Sequence, residues 1–591
     1  MTRAGYLKSL IRGFVGALVA CGVLAGSTQT ASALNAVPVA AKAKMSTDLV
    51  DAAENEPATQ MVGVIVKTTL PPTAADAARI TSLGGFIKKL SYGTIRGYAA
   101  LVPADKIDDL ALGVEVRSVS YDRKLRSFMD VARPVVAGDA STPGGQTSPQ
   151  GGGGLAGGLP GGVLLNQGAS SGYTGAGVTV AVIDSGIAVH PDLNNAKGQG
   201  RVIKRLSFIG TETMDEYGHG THVAGIIAGN AASSSGSWAY RSFRGVAPGA
   251  SLVSLKVLDA QGEGRVSDLL SALDWVHLNR TAYNIRVINM SIGSPVFESY
   301  TTDPICQAVE KLVSLGVTVV VSAGNWGTYG YGSVTSPGIA PSAITVGAMN
   351  DRNTSSTSDD LIGSYSSMGP TWPDHILKPD LVAPGNKIVS LRATGSTLDR
   401  SYPSNALPAS DYTADPAQAG QVGNYFELSG TSMSAPMVTG AVAILLEEEP
   451  GLNPATIKAR LMKSARKIGT SPYTFGAGYL DIPAALVMNG SAIAAPSPII
   501  IKDPLVPGRL YVSGAGAIWG DGAIWGDGAV WGDGAIWGDG GIWGDGAIWG
   551  DGGIWGDGGI WGDGGIWGDG GIWGDATRGA IWGDSVLSQG D

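Results

Sequence analysis

Val178-Thr179-Val180-Ala181-Val182-Ile183-Asp184-Ser185-Gly186 decides the fold. Its first six residues are β-branched or apolar, so a strand built from them has no wet face and belongs inside a sheet covered on both sides. Ser251 to Leu258, Val287 to Ile292, Val317 to Ser322 and Ala343 to Val346 repeat that character. Between them, Val266 to Leu278 and Ile305 to Leu315 carry helical spacing. Buried strands separated by helices predict right-handed crossovers and a mainly parallel sheet, an α/β architecture. In such sheets chemistry gathers beyond the carboxyl ends of the strands. Asp184 stands there after the first strand, Ser291-Ile292-Gly293 at the end of the third, and Ser322-Ala323-Gly324-Asn325 after the fourth.

Three polar clusters interrupt the apolar sequence: Asp184-Ser185-Gly186, Gly218-His219-Gly220-Thr221-His222 and Gly430-Thr431-Ser432-Met433-Ser434. They offer a carboxylate, an imidazole and a hydroxyl. A serine hydroxyl becomes a nucleophile when an imidazole takes its proton and a carboxylate holds that imidazole in the right tautomer. Ser432 opens a helical run, Met433 to Leu446, whose N-terminal amides favour a developing oxyanion. Asn325 offers a side-chain amide to the same charge. Singly, each residue has a plain alternative: a strand-end Asp as a turn or cap, a His as a packed side chain, a Ser as a helix cap. Only their joint occurrence points to chemistry. His222, one helical turn from His219, reads as structural, and so do His190, His277 and His375, because no Cys or carboxylate accompanies them at metal-ligand spacing.

At these residues the chain resembles the subtilisin-like serine peptidases, the subtilases, over about Val178 to Leu486. The order Asp, His, Ser is kept, and the phrases DSG, HGTHVAG, SAGN and GTSMSAP are intact. The resemblance implies a three-layer α/β fold and a secreted serine endopeptidase. It implies that Asp184 orients the base, His219 is general base and acid, Ser432 attacks the scissile carbonyl, and Asn325 joins the oxyanion hole. Ser291, Ile292 and Gly293 would pair with substrate backbone by edge addition. Ser322, Ala323, Gly324 and Asn325, with Val334 to Ser336, would line the side-chain pocket, which without an acid or base predicts an apolar or uncharged residue before the scissile bond. Calcium is the family's common structural ion. Asp192 matches one ligand position, whereas the loop Ala231 to Ser237 departs from the usual calcium loop, so no metal ligand is assigned.

Upstream, residues 1–33 read as a signal peptide: Arg3, Lys8 and Arg12, then 14 uncharged residues from Gly13 to Gly26, then Ala31-Ser32-Ala33. Fourteen residues are too few for a membrane span. Leu18-Val19-Ala20-Cys21 resembles a lipoprotein-processing site, but the apolar run continuing past it favours plain export. Residues 34–60 are a polar leader, and 61–126 a small α+β, ferredoxin-like unit. That unit resembles the inhibitory prodomain of subtilases, with its last strand, near Val114 to Arg126, in the cleft. Residues 127–162 form a Gly/Pro-rich linker, with 11 glycines and 3 prolines between Gly138 and Gly162. The catalytic domain is placed at 163–490 and a connector at 491–513.

The tail, 514–591, repeats Gly-(Ala/Gly)-(Ile/Val)-Trp-Gly-Asp every six residues. It holds 11 of the 15 tryptophans and 12 Asp against one Arg, so the net charge of −10 belongs to the tail and the body is nearly neutral. A near-neutral body excludes nucleic acid as a partner. The tail reads as an exposed aromatic, acidic array that binds a cell-surface glycan or divalent cations, as a structural stalk, or as low-complexity sequence without a partner. The competing function is a cell-surface binding protein with an inactive peptidase-like domain and the tail as its binding part.

Overall fold

The computed structural model describes residues 37–127 and 172–502, less 353, 355, 356, 358, 469 and 470, together with the backbone of 510–513, 572–574 and 581–582. The expected signal peptide, the linker from 128 to 162 and most of the repeat tail lie outside the described residues.

The leader is not merely polar chain. It contributes α1 (Thr47–Asn55), whose Leu49, Ala52 and Ala53 are buried in one apolar cluster with Val64, Val102 and Leu110. There follow β1 (Met61–Thr68), α2 (Ala74–Ser82), β2 (Phe86–Tyr92), β3 (Gly97–Pro103), α3 (Ile107–Ala111) and β4 (Val116–Tyr121). The four strands make an antiparallel sheet in the order β2-β3-β1-β4. Helix α2 starts where its sequence dictates. Thr73 caps the Ala75 amide, and the Asp76 carboxylate returns to the Thr73 amide at 2.7 Å, satisfying donors the helix leaves open.

The large sheet runs β14 (Leu361–Ile362), β13 (Ile344–Asn350), β12 (Thr318–Ser322), β10 (Ile285–Met290), β6 (Thr179–Asp184), β8 (Ser251–Lys256) and β7 (Val202–Ser207), with β15 (Leu381–Pro384) also against β13. Every pairing is parallel except β13 with β14. All six residues of β6 are buried. Val180 and Val182 enter the apolar cluster shared by α4 (His219–Ala228) and α7 (Thr431–Glu448). Ala181 and Ile183 enter that of α5 (Val266–Asn279) and α6 (Pro304–Ser314). Helices therefore cover both faces, and the two-residue period of the strand sorts its side chains between them. β7 and β15 escaped the pattern reading: β7 carries Lys204 and Arg205 at the sheet edge, and β15 is four residues ending in Pro384.

A further strand, β5 (Lys124–Ser127), leaves the small sheet and lies between β9 (Glu263–Arg265) and β11 (Ile292–Gly293), antiparallel to both. The polar segment 394–425 forms β17 (Ala406–Pro408) and part of β18 (Val422–Leu428), which pairs with β16 (Ile388–Leu391). It also buries an aromatic cluster: the Tyr425 ring lies 4.5 Å from Phe243 and 5.0 Å from Tyr412. The expected connector is partly body. Ala492, Ala495 and Ser497 are buried, and β19 (Ile499–Lys502) pairs with β20 (Leu510–Ser513).

Candidate active site

Strand β6 ends on Asp184 because the sheet ends there, delivering a carboxylate beyond its carboxyl edge. Asp184 Oδ1 accepts from His219 Nδ1 at 2.8 Å and from the Ser185 amide at 2.8 Å. Both side chains are wholly buried. With Nδ1 donating, the Nε2 lone pair is the free basic site, and Nε2 makes no hydrogen bond. His219 is the first residue of α4, so its ring projects from the end of the helix nearest the strand edge.

Ser432 is the second residue of α7. Its hydroxyl donates to the Ser291 carbonyl at 3.0 Å, and the Ser291 hydroxyl donates back to the Ser432 carbonyl at 2.9 Å. The second bond has a cause in the sequence. Pro436, four residues on, has no N–H, so the Ser432 carbonyl lacks its helical partner and Ser291 supplies one. Asn325 Oδ1 accepts from the Thr431 amide at 2.9 Å and the Thr431 hydroxyl at 2.8 Å. Those two donors fix the amide's orientation and turn its NH2 toward Gly430. Gly430 holds φ +152°, and a Cβ there would stand 2.8 Å from Asn325 Nδ2, so only glycine admits the asparagine.

The structure thus brings Asp184 to His219, Ser432 to Ser291, and Asn325 to the residue before Ser432. Ile292 and Gly293 pair with Ser127 and Arg126 of β5. Ser322 to Gly324 are engaged elsewhere along their backbone: the Ala323 amide donates to Val346 and its carbonyl accepts from Thr335, while the Gly324 amide donates to Thr431 Oγ1. The Ser322 hydroxyl is buried without a hydrogen bond. Sequence reasoning missed Thr431, Ser185 and Asp215, which touch or brace the site, and β9, the second wall of the cleft. The glycines at 262 and 264 were its one signal: a Cβ on Gly264 would collide with the Val257 carbonyl.

His222 is fully buried, and its Nε2 bridges the carbonyls of Ile388 and Phe426 at 3.0 and 2.9 Å. Burial pushes its pKa down to about 3, so it is a neutral strut between β16 and β18. Burial raises the Cys306 thiol well above its ordinary range, which keeps it a packed, unreactive group. Asp192 Oδ1 accepts from the Ser233 amide at 2.7 Å and Oδ2 from the Tyr425 hydroxyl at 2.6 Å, so each oxygen already holds one donor. Among the described residues no group of three or more His, Cys, Asp or Glu is placed to hold a metal.

Residues 175–478 match the subtilase family. The chain belongs to that family. It is 38% identical over 316 residues to serine protease AprX of Bacillus subtilis, a match covering 52% of this chain and 66% of AprX. It is 37% identical to subtilisin NAT of Bacillus subtilis subsp. natto, covering 54% of this chain and 67% of that one. Against the subtilisin of Bacillus pumilus the figures are 36%, 54% and 93%. In fold it is similar to fervidolysin from Fervidobacterium pennivorans, with a TM-score of 0.54 at 23% identity, over 74% of this chain and 62% of that chain. Membership makes this subtilase a subtilisin-type serine peptidase with a mostly parallel sheet. No helix among the described residues is long and apolar enough to cross a membrane.

Proposed function

We propose that the chain is a secreted serine endopeptidase made as a zymogen, cleaving peptide bonds through an acyl-enzyme formed on Ser432. In this reading Asp184 holds His219 in the tautomer whose Nε2 is basic. A torsional turn of Ser432 moves its hydroxyl from the Ser291 carbonyl to Nε2, His219 takes the proton, and Oγ attacks the substrate carbonyl. The Asn325 NH2 and the Ser432 amide receive the oxyanion, and His219 returns the proton to the leaving amine. The observation that carries this is the buried 2.8 Å bond between Asp184 and His219 with Nε2 left open.

The zymogen reading rests on β5. A substrate strand would add between β9 and β11, and residues 124–127 of the chain's own N-terminal unit fill that place. Residues 61–127 thus act as an intramolecular inhibitor until cut away, and protein substrates follow them into the cleft, with an apolar or uncharged residue before the scissile bond. Signal-directed export, and a tail that contacts a cell surface or glycan, complete the proposal. Replacing Ser432 with Ala in the full chain tests the chemistry, and activity on a denatured protein should vanish; retained proteolysis would reject the mechanism. N-terminal sequencing of secreted, active protein should find a start between residues 127 and 163. A fully active chain beginning near Leu34 would sink the inhibitor reading.

A further inference from the structure

Helix α4 presents a problem at its most important end. Its cap residue, Gly218, has no side chain to accept the open amides of the first turn, and it stands immediately before His219. The amides are nevertheless satisfied from outside the helix. Asp215 Oδ1 accepts from the Gly218 amide at 2.7 Å, and Oδ2 accepts from the Thr221 amide at 2.8 Å and the Thr221 hydroxyl at 2.6 Å. The Gly220 amide donates to Ser185 Oγ at 2.9 Å, and that hydroxyl donates to Asp215 Oδ1 at 2.8 Å. Ser185 is also bonded through its amide to Asp184 Oδ1, the oxygen that accepts from His219. Thr221 Oγ1 in turn accepts from the Ala188 amide at 2.9 Å.

We propose that Asp215 is a positioning residue for the Asp184–His219 pair. It joins the loop after β6 to the first turn of α4, so the carboxylate and the imidazole are held by one clamp with no freedom between them. His219 sits between two glycines, and the amides of both are tied into this network. Asp215 is buried and receives four donors, which together occupy both of its oxygens. An amide in its place would set an NH2 against the N–H of Gly218 or Thr221, so that donor faces donor and the turn carrying His219 shifts. Misplacement of a base by a fraction of an ångström lowers the rate of the chemical step while leaving the substrate strand's binding edges, β9 and β11, as they were.

The proposal rests on the triad reading, and the experiment separates the two. Wild-type enzyme and Asp215→Asn are titrated with a fluorophosphonate, and kcat is expressed per labelled site. The expected result is a fall in kcat of roughly ten- to a hundredfold per site with KM within about twofold. Unchanged kcat per labelled site, or a loss confined to KM, overturns the clamp, since a merely structural aspartate would lower only the fraction of sites that label. Ser185→Ala removes one of the four donors and is the companion variant should Asp215→Asn not fold. It should lose several-fold in kcat per site, and wild-type turnover in it overturns the clamp equally. If peptide mapping of the wild type finds no label on Ser432, the triad reading itself fails and takes this proposal with it.

Discussion

The candidate catalytic side chains Asp184, His219 and Ser432 are wholly buried, and each bonds a neighbour that the sequence separates from it by dozens of residues. His222 shows what this means for stability. Its folded pKa, about 3, lies below the ordinary value of 6.5 because burial disfavours the charged ring. Above pH 6.5 the ring is neutral whether the chain is folded or unfolded, and the residue has no effect on the pH dependence. Below it the unfolded chain binds a proton that the folded one refuses, so stability falls with pH down to about 3. The shift implies a loss of about 3 kcal/mol by pH 4 from this residue alone. Thermal melts between pH 7 and 4 should therefore fall less steeply in His222→Asn, which cannot titrate, than in the wild type, whatever the offset between them at pH 7.

At the scale of elements, the decisive feature is a strand from one unit completing a sheet edge in another. β5 is held there by more than its ladder. Arg123, just before it, reaches Asp48 at 2.6 Å within the N-terminal unit and Glu298 of the body at 2.7 Å, and all three are largely buried. Removing Arg123 leaves Glu298 covered without a counter-charge, an arrangement that costs about 3–5 kcal/mol. Segment 37–127 carrying Arg123→Ala should inhibit the mature body at least about a hundredfold less tightly than the natural segment, as read from the inhibition constant. β18 also carries a buried tyrosine, Tyr425, whose hydroxyl bonds Asp192 Oδ2 at 2.6 Å and Ser234 at 2.7 Å. Tyr425→Phe should lower the melting temperature by a few degrees, in line with about 1–3 kcal/mol for an orphaned buried acceptor, and an unchanged melting temperature would contradict it.

A buried charge cluster ties the stretch after residue 490 to the body. Lys378 and Lys458 bind Asp380 at 2.6 and 3.0 Å, and Lys458 also donates to Ser497 at 2.7 Å. Burial pushes Lys458 down to about 7, so this ammonium depends on every acceptor it has. Ser497 belongs to the stretch that composition marks as a connector, and its amide donates to the Pro341 carbonyl. A chain ended at residue 490 should melt lower than one ended at 502, by about 3–5 °C if about two to three kcal/mol are lost. Equal melting temperatures would return 491–502 to the status of linker.

The sequence by itself determined the parallel sheet, because β6 is apolar on both faces and only burial on both sides tolerates that. It also determined the order and chemical identity of Asp184, His219, Asn325 and Ser432, since motifs of small residues around a reactive one are local and readable. What no local pattern carried was everything made by distant partners. Thr431 turns Asn325, Ser291 takes the carbonyl that Pro436 frees, Tyr425 bonds Asp192, Ser497 closes over Lys458, and Ser185 takes the Gly220 amide that Gly218 cannot cap. Each is a hydrogen bond between a polar group and a complement that only the tertiary fold brings near. Buried polar atoms must find partners, and which partner is decided by packing rather than by spacing along the chain.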